Sequence, residues 1–328
     1  MDISTLFSSF TDLRVLVIGD VMLDTYWWGK VDRISPEAPV PVVAVSKKEM
    51  RIGGAGNVAL NIVSLGAKVN LLSVIGNDDD GEQLNSLLQD HSIGSQYMVH
   101  SENRVTSNKI RIISRNQHMM RLDAEMTEDL STADADKLLY AFENCLAAET
   151  PQVVILEDYN KGVLTPAVIE KIISLCRHHG IVTAVDPKRK NFFAYRGVDI
   201  FKPNLKETIE GLNIHPEKVN LSALQDMHIQ LQEKLEHKIS LITLSEKGVF
   251  YQQDRDAALI PTHIRNVADV SGAGDTVIAV ASLVYVASKD TRLMADVANI
   301  AGGLVCEEVG TVAIDGEKLK AECELLLK

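Results

Sequence analysis

The sequence predicts an α/β fold, a doubly wound and mostly parallel sheet with a small inserted β-sheet lid. Two observations carry this prediction. Short apolar runs rich in β-branched residues alternate with longer amphipathic helical patterns, and two further β-rich stretches interrupt the alternation. The strand Arg14–Gly19 shows the type, because Val15–Ile18 is apolar at successive positions, as expected for a strand covered by helices on both faces.

The elements of the main sheet follow one another along the chain. The predicted strands are Arg14–Gly19, Val69–Ile75, Val153–Leu156, Ile181–Val185, Val198–Phe201 and Ser240–Leu244. The predicted helices are Asn57–Leu65, Glu82–Gln89, Ala133–Leu146, Pro166–His178, Leu221–Leu235, Asp275–Ala287 and Leu293–Val305. Since helices follow most of the strands, we expect parallel strands joined by crossover helices.

Two stretches with strand character have no helix between their strands. Residues 24–46 contain both Trp residues of the chain, and residues 104–123 are expected to form two strands around a turn near Asn116. We interpret them as a lid of four to five strands that projects from a single domain spanning residues 1–328. A partly apolar sheet of this kind needs a partner or a ligand to cover it, so we expect a homodimer through the lid.

The charge of the chain argues against two classes of partner. With 33 Lys and Arg residues against 45 Asp and Glu residues, the net charge is −12. Sequence-independent nucleic-acid binding needs a basic surface, although a local basic cleft for an anionic substrate is compatible with an acidic protein. The N-terminal segment lacks signal-peptide features, and no apolar run of about 18 residues occurs. We expect neither a nucleic-acid nor a membrane partner.

The cysteines predict no disulfide and no zinc site. They are widely spaced, form no CxxC pair, and are not grouped with histidines. This usage is typical of reduced, mostly buried thiols in a cytoplasmic protein. The residues are Cys145, Cys176, Cys306 and Cys323.

The strongest motif is the string DVSGAGD at Asp269–Asp275, which precedes an apolar helical run. Gly272 and Gly274 permit backbone angles that other residues resist, and with Ala273 they are expected to form a turn whose N–H groups converge at a helix start. The helix dipole adds positive charge there, so we expect an anion hole for phosphate. Asp275 beside it is the predicted catalytic base. The alternative is a glycine turn with Asp275 as helix cap.

A second string, GGAGN at Gly53–Asn57, opens another predicted helix. Gly53 and Gly54 let a ligand approach the backbone, and Asn57 offers a donor and an acceptor to sugar hydroxyls. The string also fits a dinucleotide fingerprint, but that fingerprint directly follows the first strand of its fold, whereas Arg14–Gly19 ends long before. No P-loop string is present, so the sequence predicts a phosphate-handling protein of another kind.

Two aspartates follow the first strand in the string GDVMLD. Ligands of open α/β sheets bind at the carboxyl ends of the strands, so Asp20 and Asp24 are predicted to hold a polyol substrate. The alternative is that both are turn or capping aspartates.

With these loops placed, the pattern resembles the ribokinase-like carbohydrate kinase family over essentially the whole chain, and GGAGN and DVSGAGD resemble its two signatures. The resemblance implies ATP and Mg²⁺ as cofactors. It puts Mg²⁺ near Asn204 and Glu207, through water, and a monovalent cation such as K⁺ near Asp269 and Gly310. Ser245 stands where that family commonly has glycine. The ATP contacts that it implies are Asn204, Glu207, Thr243, Ser245, Gly248, Gly272, Gly274 and Asn299.

Longer strings resemble one branch of that family, the heptose 7-phosphate kinases. They are GDVMLDTYWWGKVDRISPEAPVPVV, SRNQHMMRLD, EDYNKG, VDPK and FKPNLKE. Glu157 and Lys202 depart from the branch's common SDYxKG and TPNLxE forms. The branch implies phosphorylation of the anomeric hydroxyl of D-glycero-β-D-manno-heptose 7-phosphate, on the route to ADP-heptose and the lipopolysaccharide core. Many of its members carry a nucleotidyltransferase domain after the kinase. The sequence given ends at Lys328, so we expect adenylyl transfer to reside elsewhere.

A phosphorylated sugar needs cations at its binding site. We expect Lys161 and Lys188, at strand ends, to supply them, with Arg115 next because a guanidinium fork suits phosphate. The alternative is that these are solvated surface charges. Further arginines in the lid stretches are Arg33, Arg111 and Arg121.

Three rival functions stay open at this point. The first is a kinase of the same family acting on another sugar, sugar phosphate or nucleoside. The second is a ligand-binding regulator that kept the fold and lost the chemistry, against which the intact Asp275 speaks. The third is a dinucleotide oxidoreductase, which leaves DVSGAGD unexplained.

Overall fold

A computed structural model describes residues 1–115, 117–263 and 265–327. The turn predicted near Asn116 centres on a residue that lies outside this described part. The strands are β1 (Arg14–Gly19), β2 (Val21–Ile34), β3 (Pro41–Gly54), β4 (Lys68–Leu72), β5 (Val74–Gly76), β6 (Val99–Ser101), β7 (Asn108–Ser114), β8 (Gln117–Ala124), β9 (Val153–Glu157), β10 (Val182–Asp186), β11 (Ile200–Phe201), β12 (Ile239–Thr243), β13 (Val249–Gln253) and β14 (Asp256–Ile260). The α-helices are α1 (Ile3–Ser9), α2 (Ala55–Ser64), α3 (Asp79–Asp90), α4 (Thr132–Glu149), α5 (Pro166–His179), α6 (Leu205–Leu212), α7 (Leu221–Leu235), α8 (Ala273–Ser288), α9 (Thr291–Val305) and α10 (Gly316–Leu326).

The main sheet has eight strands in the order β14-β13-β12-β11-β10-β9-β1-β4. Neighbours from β4 to β12 pair in parallel, and β13 and β14 add an antiparallel hairpin at one edge. Because β4 and β9 flank β1 on opposite sides, the chain reverses its direction of winding at β1. The predicted doubly wound, mostly parallel sheet is confirmed, and ligands of such sheets bind at the carboxyl end of this switch point.

Alternate residues of each inner strand face opposite helical layers. Val15 and Val17 pack into the core shared with α2, α8 and α9, whereas Leu16 and Ile18 pack into the core shared with α4, α5 and α7. All four side chains are buried, which is why the run is apolar at every position.

The lid is a separate four-stranded sheet in the order β3-β2-β7-β8. Its central pair, β2 and β7, is parallel, and the outer pairs are antiparallel. A single residue, Asp20, separates β1 from β2, so the lid grows directly from the carboxyl end of β1. The insertion of a small β-sheet at residues 24–46 and 104–123 therefore agrees with the observed strands, which extend further toward the main sheet.

Several elements differ from the prediction. The expected strand Val69–Ile75 divides into β4 and β5, because buried Ser73 turns inward and its hydroxyl donates to the Gly19 carbonyl at 2.6 Å. The hairpin β13–β14 was not predicted, and neither was α6. Helix α6 begins with a capping box, in which the side chains of Asn204 and Glu207 each accept the backbone N–H of the other residue. These are the same residues that the family resemblance assigns to nucleotide binding.

Two expectations from composition can be compared with the described residues. All four cysteines are free, three of them buried and Cys306 half-buried. Within the described ranges, no helix has both the length and the hydropathy needed to cross a bilayer.

Candidate active site

The loop after β9 is fixed by the carboxylate of Asp20, which is 1% exposed. Its Oδ2 accepts the N–H groups of Tyr159 at 2.7 Å and Lys161 at 2.9 Å, and its Oδ1 accepts the N–H of Val163 at 3.1 Å. Burial, helped by the neighbouring charge of Asp158, raises the pKa of Asp20 to about 6 against these hydrogen bonds. Asp20 thus shapes the loop with both of its oxygens.

Asp275 lies in the first turn of α8 and is 3% exposed. The Asn57 Nδ2 donates to Asp275 Oδ2 at 2.7 Å, and the Tyr159 hydroxyl donates to Asp275 Oδ1 at 2.7 Å. Burial raises the pKa of Asp275 to about 6, although these two donors oppose the shift. The predicted base is therefore a positioned, buried carboxylate that changes its charge near neutral pH.

The start of α8 leaves backbone donors available. Gly272 has φ of +79° and caps the helix. The Ala273 N–H donates to the Val270 carbonyl, and the Thr276 N–H closes the first helical turn on Gly272. Within the described residues, the N–H groups of Gly274 and Asp275 carry no hydrogen bond. Two free donors at a helix N-terminus suit an anion, so the anion hole stays a prediction, with Gly274 and Asp275 as donors and the Ala273 N–H already engaged.

A buried ionic cluster lies beside this anion hole. Asp186, at the end of β10, accepts Lys202 Nζ at 2.7 Å and Lys188 Nζ at 3.2 Å. A Cβ at Gly274 would lie only 3.6 Å from Lys202 Nζ, so this ammonium faces the turn that holds the free donors. Burial acts to raise the pKa of Asp186, but the two lysines outweigh it and lower the pKa. Lys188 also contacts Glu207 at 3.2 Å.

Glu157, the last residue of β9, completes this cluster in an unusual way. It is fully buried, and neither of its carboxylate oxygens has a hydrogen-bond partner among the described residues. One oxygen each from Glu157, Asp186 and Asp275 lie within 4.8 Å of one another. Burial, together with the charges of Asp186 and Asp275, raises the pKa of Glu157 well above its usual range. Hard oxygen donors gathered in this way fit Mg²⁺, which favours carboxylates and phosphate oxygens.

The base of the lid forms the opposite wall. Asp24 on β2 accepts Arg111 Nη1 at 2.5 Å and the Thr311 hydroxyl at 3.3 Å. Gly53 lies directly beside it, since a Cβ there would come within 2.5 Å of Asp24 Oδ2. Gly54 has φ of +58° and caps α2. These glycines allow strands β2 and β3 to approach closely here. The approach of a ligand to the same backbone stays a prediction.

The loop implied for a monovalent cation already holds a side-chain cation. Asp269 Oδ2 accepts the Gly310 N–H at 2.9 Å, which brings the two expected residues together. The Arg51 guanidinium donates to the carbonyls of Val309 at 3.3 Å and Thr311 at 3.2 Å, on either side of Gly310. The carboxylate and carbonyl oxygens fit a hard cation chemically, and Arg51 shares them.

The predicted nucleotide residues lie at the carboxyl ends of β11 and β12. Thr243 ends β12 and bridges to Asn204. Ser245 has φ of +55°, which explains why glycine is the common residue at this position. Gly248 has φ of +95° and closes the same turn. Asn299 on α9 donates to the Pro261 carbonyl at 2.9 Å, so its side chain supports a loop of this region.

Comparison with known proteins decides the family. Residues 12–317 match the pfkB family of carbohydrate kinases. The chain belongs to the pfkB carbohydrate kinase family. This membership answers the oxidoreductase alternative, and it makes the protein a sugar kinase, an activity that in general uses ATP and Mg²⁺.

Relatives of this pfkB kinase include two bacterial proteins. It is 40% identical over 308 residues to the bifunctional protein HldE of Sulfurimonas denitrificans, covering 93% of this chain and 63% of the relative. It is 40% identical over 326 residues to the bifunctional protein HldE of Geotalea uraniireducens, covering 98% of this chain and 65% of the relative. The kinase thus spans less than two thirds of the length of these curated relatives.

Two solved structures share the fold. Phosphofructokinase-2 from Escherichia coli in complex with potassium superposes with a TM-score of 0.78 at 19% identity, over 94% of this chain and 99% of that one. Ribokinase from Arabidopsis thaliana complexed with ribose and ATP gives 0.72 at 17% identity, over 94% and 98%. The ribokinase-like fold class is confirmed.

Sequence reasoning did not find every residue that meets at this kinase's cleft. Tyr159 lies within the quoted string EDYNKG, but nothing in that string shows that its hydroxyl reaches Asp275. Thr311 follows no motif at all. Glu157 and Lys202 were noticed only as departures from a common pattern, and the structure places both in the buried cluster.

The cations proposed for a substrate phosphate are spread over different surroundings. Lys161 is 14% exposed and pairs with Glu125, whereas Lys188 pairs with Asp186 and Glu207 on the side of the buried cluster. Arg115 is exposed at the tip of the β7–β8 hairpin. Arg33 and Arg121 are also exposed.

We predict that Glu157→Gln stabilises the protein relative to wild type, increasingly as pH rises above about 5. A carboxyl whose pKa is raised on folding is ionised in the unfolded chain above a pH of about 4.5, and it must take up a proton to fold, so its cost grows as pH rises. The variant should gain stability relative to wild type between pH 5 and pH 8, measured by urea unfolding. Glu143→Gln, at a side chain 51% exposed, is the matched control. A difference in unfolding free energy between variant and wild type that shrinks as pH rises would contradict the prediction.

Proposed function

We propose that this kinase transfers the γ-phosphate of ATP to the anomeric hydroxyl of D-glycero-β-D-manno-heptose 7-phosphate, giving the 1,7-bisphosphate for ADP-heptose and lipopolysaccharide core synthesis. The observation that carries a kinase reaction is the buried Asp275 carboxylate beside the free N–H groups of Gly274 and Asp275. The long strings of the lid and strand ends support the heptose, as do the HldE relatives.

Asp275 is suited to remove the proton of the attacking hydroxyl. Its carboxylate is held at both oxygens, by Asn57 and Tyr159, so it needs no reorganisation when the sugar binds. With a pKa of about 6 it is mostly ionised at neutral pH yet basic enough to accept a proton in the transition state.

The transferring phosphoryl group would meet the N–H groups of Gly274 and Asp275, with the Lys202 ammonium beside them. Charge on the equatorial oxygens of the phosphoryl group is then stabilised by donors already in place. Mg²⁺, when bound with the nucleotide, neutralises phosphate charge. The carboxylates of Asp186, Glu157 and Glu207 are the residues that would hold it or its water shell, with Asn204 supporting Glu207 through the capping box.

The experiment that tests the function is ADP release measured across a panel of sugars and sugar phosphates. We expect heptose 7-phosphate to give a kcat/KM about a hundredfold or more above free heptose and ribose, because two charge-assisted hydrogen bonds to its phosphate contribute roughly 1.5–3 kcal/mol each. We also expect it to be preferred over fructose 6-phosphate. An equal kcat/KM for an unphosphorylated sugar would reject the heptose phosphate and leave the sugar-kinase assignment intact.

Asp275→Asn should bind ATP and sugar nearly as wild type and lose turnover by about 10²- to 10⁴-fold, because the amide cannot accept the hydroxyl proton. Binding is measured by calorimetry and turnover by ADP release. Asp226→Asn, at an exposed position on α7, is the control and should retain full activity. Turnover of Asp275→Asn within threefold of wild type would show that another group is the base.

The pH profile should reveal the same carboxyl. Since protonated Asp275 cannot act as a base, kcat should fall as pH drops through about 6. Tyr159→Phe removes a donor that favours the ionised form, so this limb should move to higher pH. The pKa of Asp20 is also about 6. Its contact with Tyr159 is to the backbone N–H, however, and the substitution keeps that group. An unmoved limb would assign the titration to another group.

We propose further that the kinase acts as a cytoplasmic homodimer joined through the lid. The lid face formed by Trp27, Ile112, Met120 and neighbouring Leu122 is apolar, and Met120 and Leu122 are 57% and 42% exposed. A second copy of the same face would bury this area. Sedimentation at micromolar concentration should give a dimer, and Leu122→Glu should give a monomer. A monomeric wild type would leave the lid a role in substrate binding alone.

A further inference from the structure

Two lysines from distant parts of the chain converge on one carboxylate at the base of the lid. Lys109 on β7 places Nζ 2.8 Å from Glu125 Oε2, and Lys161 in the loop after β9 places Nζ 2.5 Å from Glu125 Oε1. The three side chains are only 14% to 19% exposed. Two ammonium groups against one carboxylate leave an excess positive charge, on a chain whose net charge is −12.

The nearest further acid does not cancel this excess. Asp123 lies opposite Lys109 across the β7–β8 pair, with 3.5 Å between Asp123 Oδ2 and Lys109 Nζ. Its two oxygens also accept Arg121 Nε and Nη2 at 2.8 and 2.9 Å, so Asp123 already has a cation of its own. The cluster of Lys109, Lys161 and Glu125 therefore keeps its surplus charge, which a bound anion would balance.

The other cations near the cleft are committed elsewhere. Arg111 pairs with Asp24, and Lys188 pairs with Asp186 and Glu207. Arg104 donates to main-chain carbonyl groups, one of which belongs to Lys161. Arg115 follows Lys109 by six positions of extended chain, or roughly 20 Å at 3.3 Å per residue.

The loop after β9 sets the distance between this cluster and the reacting centre. Within this loop, the Tyr159 hydroxyl reaches the catalytic Asp275, while the Lys161 ammonium reaches Glu125. The N–H groups of both residues are held by the same oxygen, Asp20 Oδ2. A substrate that spans this loop must carry its reacting hydroxyl at one end and an anion at the other.

We infer that Lys109 and Lys161 together form the subsite for the remote phosphate of the sugar substrate, and that Glu125 occupies the place of this phosphate in the free protein. The inference rests on the proposed function, since it requires a phosphorylated sugar. A phosphomonoester dianion matches two ammonium charges, whereas the single charge of a carboxylate leaves one unbalanced. Glu125 follows directly after β8 and is 19% exposed, so on this inference its side chain turns toward solvent when the phosphate enters.

The test compares a phosphorylated sugar with the same sugar lacking its phosphate. Lys109→Met and Lys161→Met should each lower kcat/KM for heptose 7-phosphate by roughly ten- to hundredfold, the loss expected for one charge-assisted hydrogen bond. Their kcat/KM for free heptose should stay within threefold of wild type. Lys47→Met is the matched control, because Lys47 lies on lid strand β3 and is 64% exposed. Equal losses on both sugars would overturn the subsite.

Glu125→Gln tests whether Glu125 occupies the phosphate site as a placeholder in the free protein or only holds the two lysines in position. If Glu125 competes with the phosphate, the variant should bind orthophosphate severalfold more tightly, measured as competitive inhibition against the sugar phosphate. Unchanged or weaker orthophosphate binding would reject the placeholder role. Both Lys109 and Glu125 lie outside the main sheet, so these two variants test the proposal even if Lys161→Met folds poorly.

Failure of the subsite and failure of the proposed function give different results. If wild type turns over heptose 7-phosphate and the lysine variants match it, the function stands and the subsite is wrong. If wild type does not act on heptose 7-phosphate, the proposed substrate is wrong. The subsite is then judged on direct orthophosphate binding measured by calorimetry, which Lys109→Met must weaken at least tenfold for the inference to survive.

Discussion

The carboxylate of Asp20 is the constraint on which the cleft depends. It accepts three backbone N–H groups from the loop after β9, at the point where β1 passes into the lid. Placing an aspartate there is energetically costly, because burial and the charge of Asp158 raise its pKa to about 6. The hydrogen bonds offset this cost by fixing the loop between the Asp275 carboxylate and the lid.

Two side chains of this loop point in different directions. Tyr159 points to Asp275, which shares the start of α8 with two N–H groups that have no hydrogen bond among the described residues. Lys161 points to the base of the lid, where lid residues supply further charge. Two side chains of one loop thereby reach the proposed reacting centre and the proposed phosphate subsite.

Charged groups gather at the carboxyl ends of β9, β10 and β11 because parallel strands end together at this edge of the sheet. Glu157, Asp186 and Lys202 are all buried there, in surroundings that would be expensive for any one of them alone. Lys202 compensates Asp186, while Glu157 has no hydrogen-bond partner in the described part of the chain. Such incomplete compensation is typical of sites arranged for a charged ligand.

Side chains alternate along the lid strands, and this gives the lid sheet two faces of different character. Asp24, Lys109 and Asp123 are register partners, so their side chains lie on the same face of the lid sheet. Trp27 and Ile112 lie on the other face, with Met120 opposite them on β8. One face can therefore meet a polar substrate and the other an apolar partner, because successive residues of a strand point in opposite directions.

The sequence by itself determined the fold class and most strands and helices. It also singled out the two glycine turns and Asp275, whose catalytic role stays a prediction. The reason is that these features are local: apolar periodicity, helix starts and glycine-dependent backbone angles are encoded within a few residues. It also placed the lid, because strand patterns without helices are visible in composition. It did not find α6 or the β13–β14 hairpin, which are short elements stabilised by packing on the sheet.

Only the tertiary structure decided which side chains share the cleft. Tyr159 and Asp275 are 116 residues apart in the sequence, and no motif spacing relates positions so distant. Glu125 meets Lys109 and Lys161 only because the lid and the loop after β9 end at the same place. Electrostatic partners are set by distance in space and by burial, and neither is carried by the local pattern of residues.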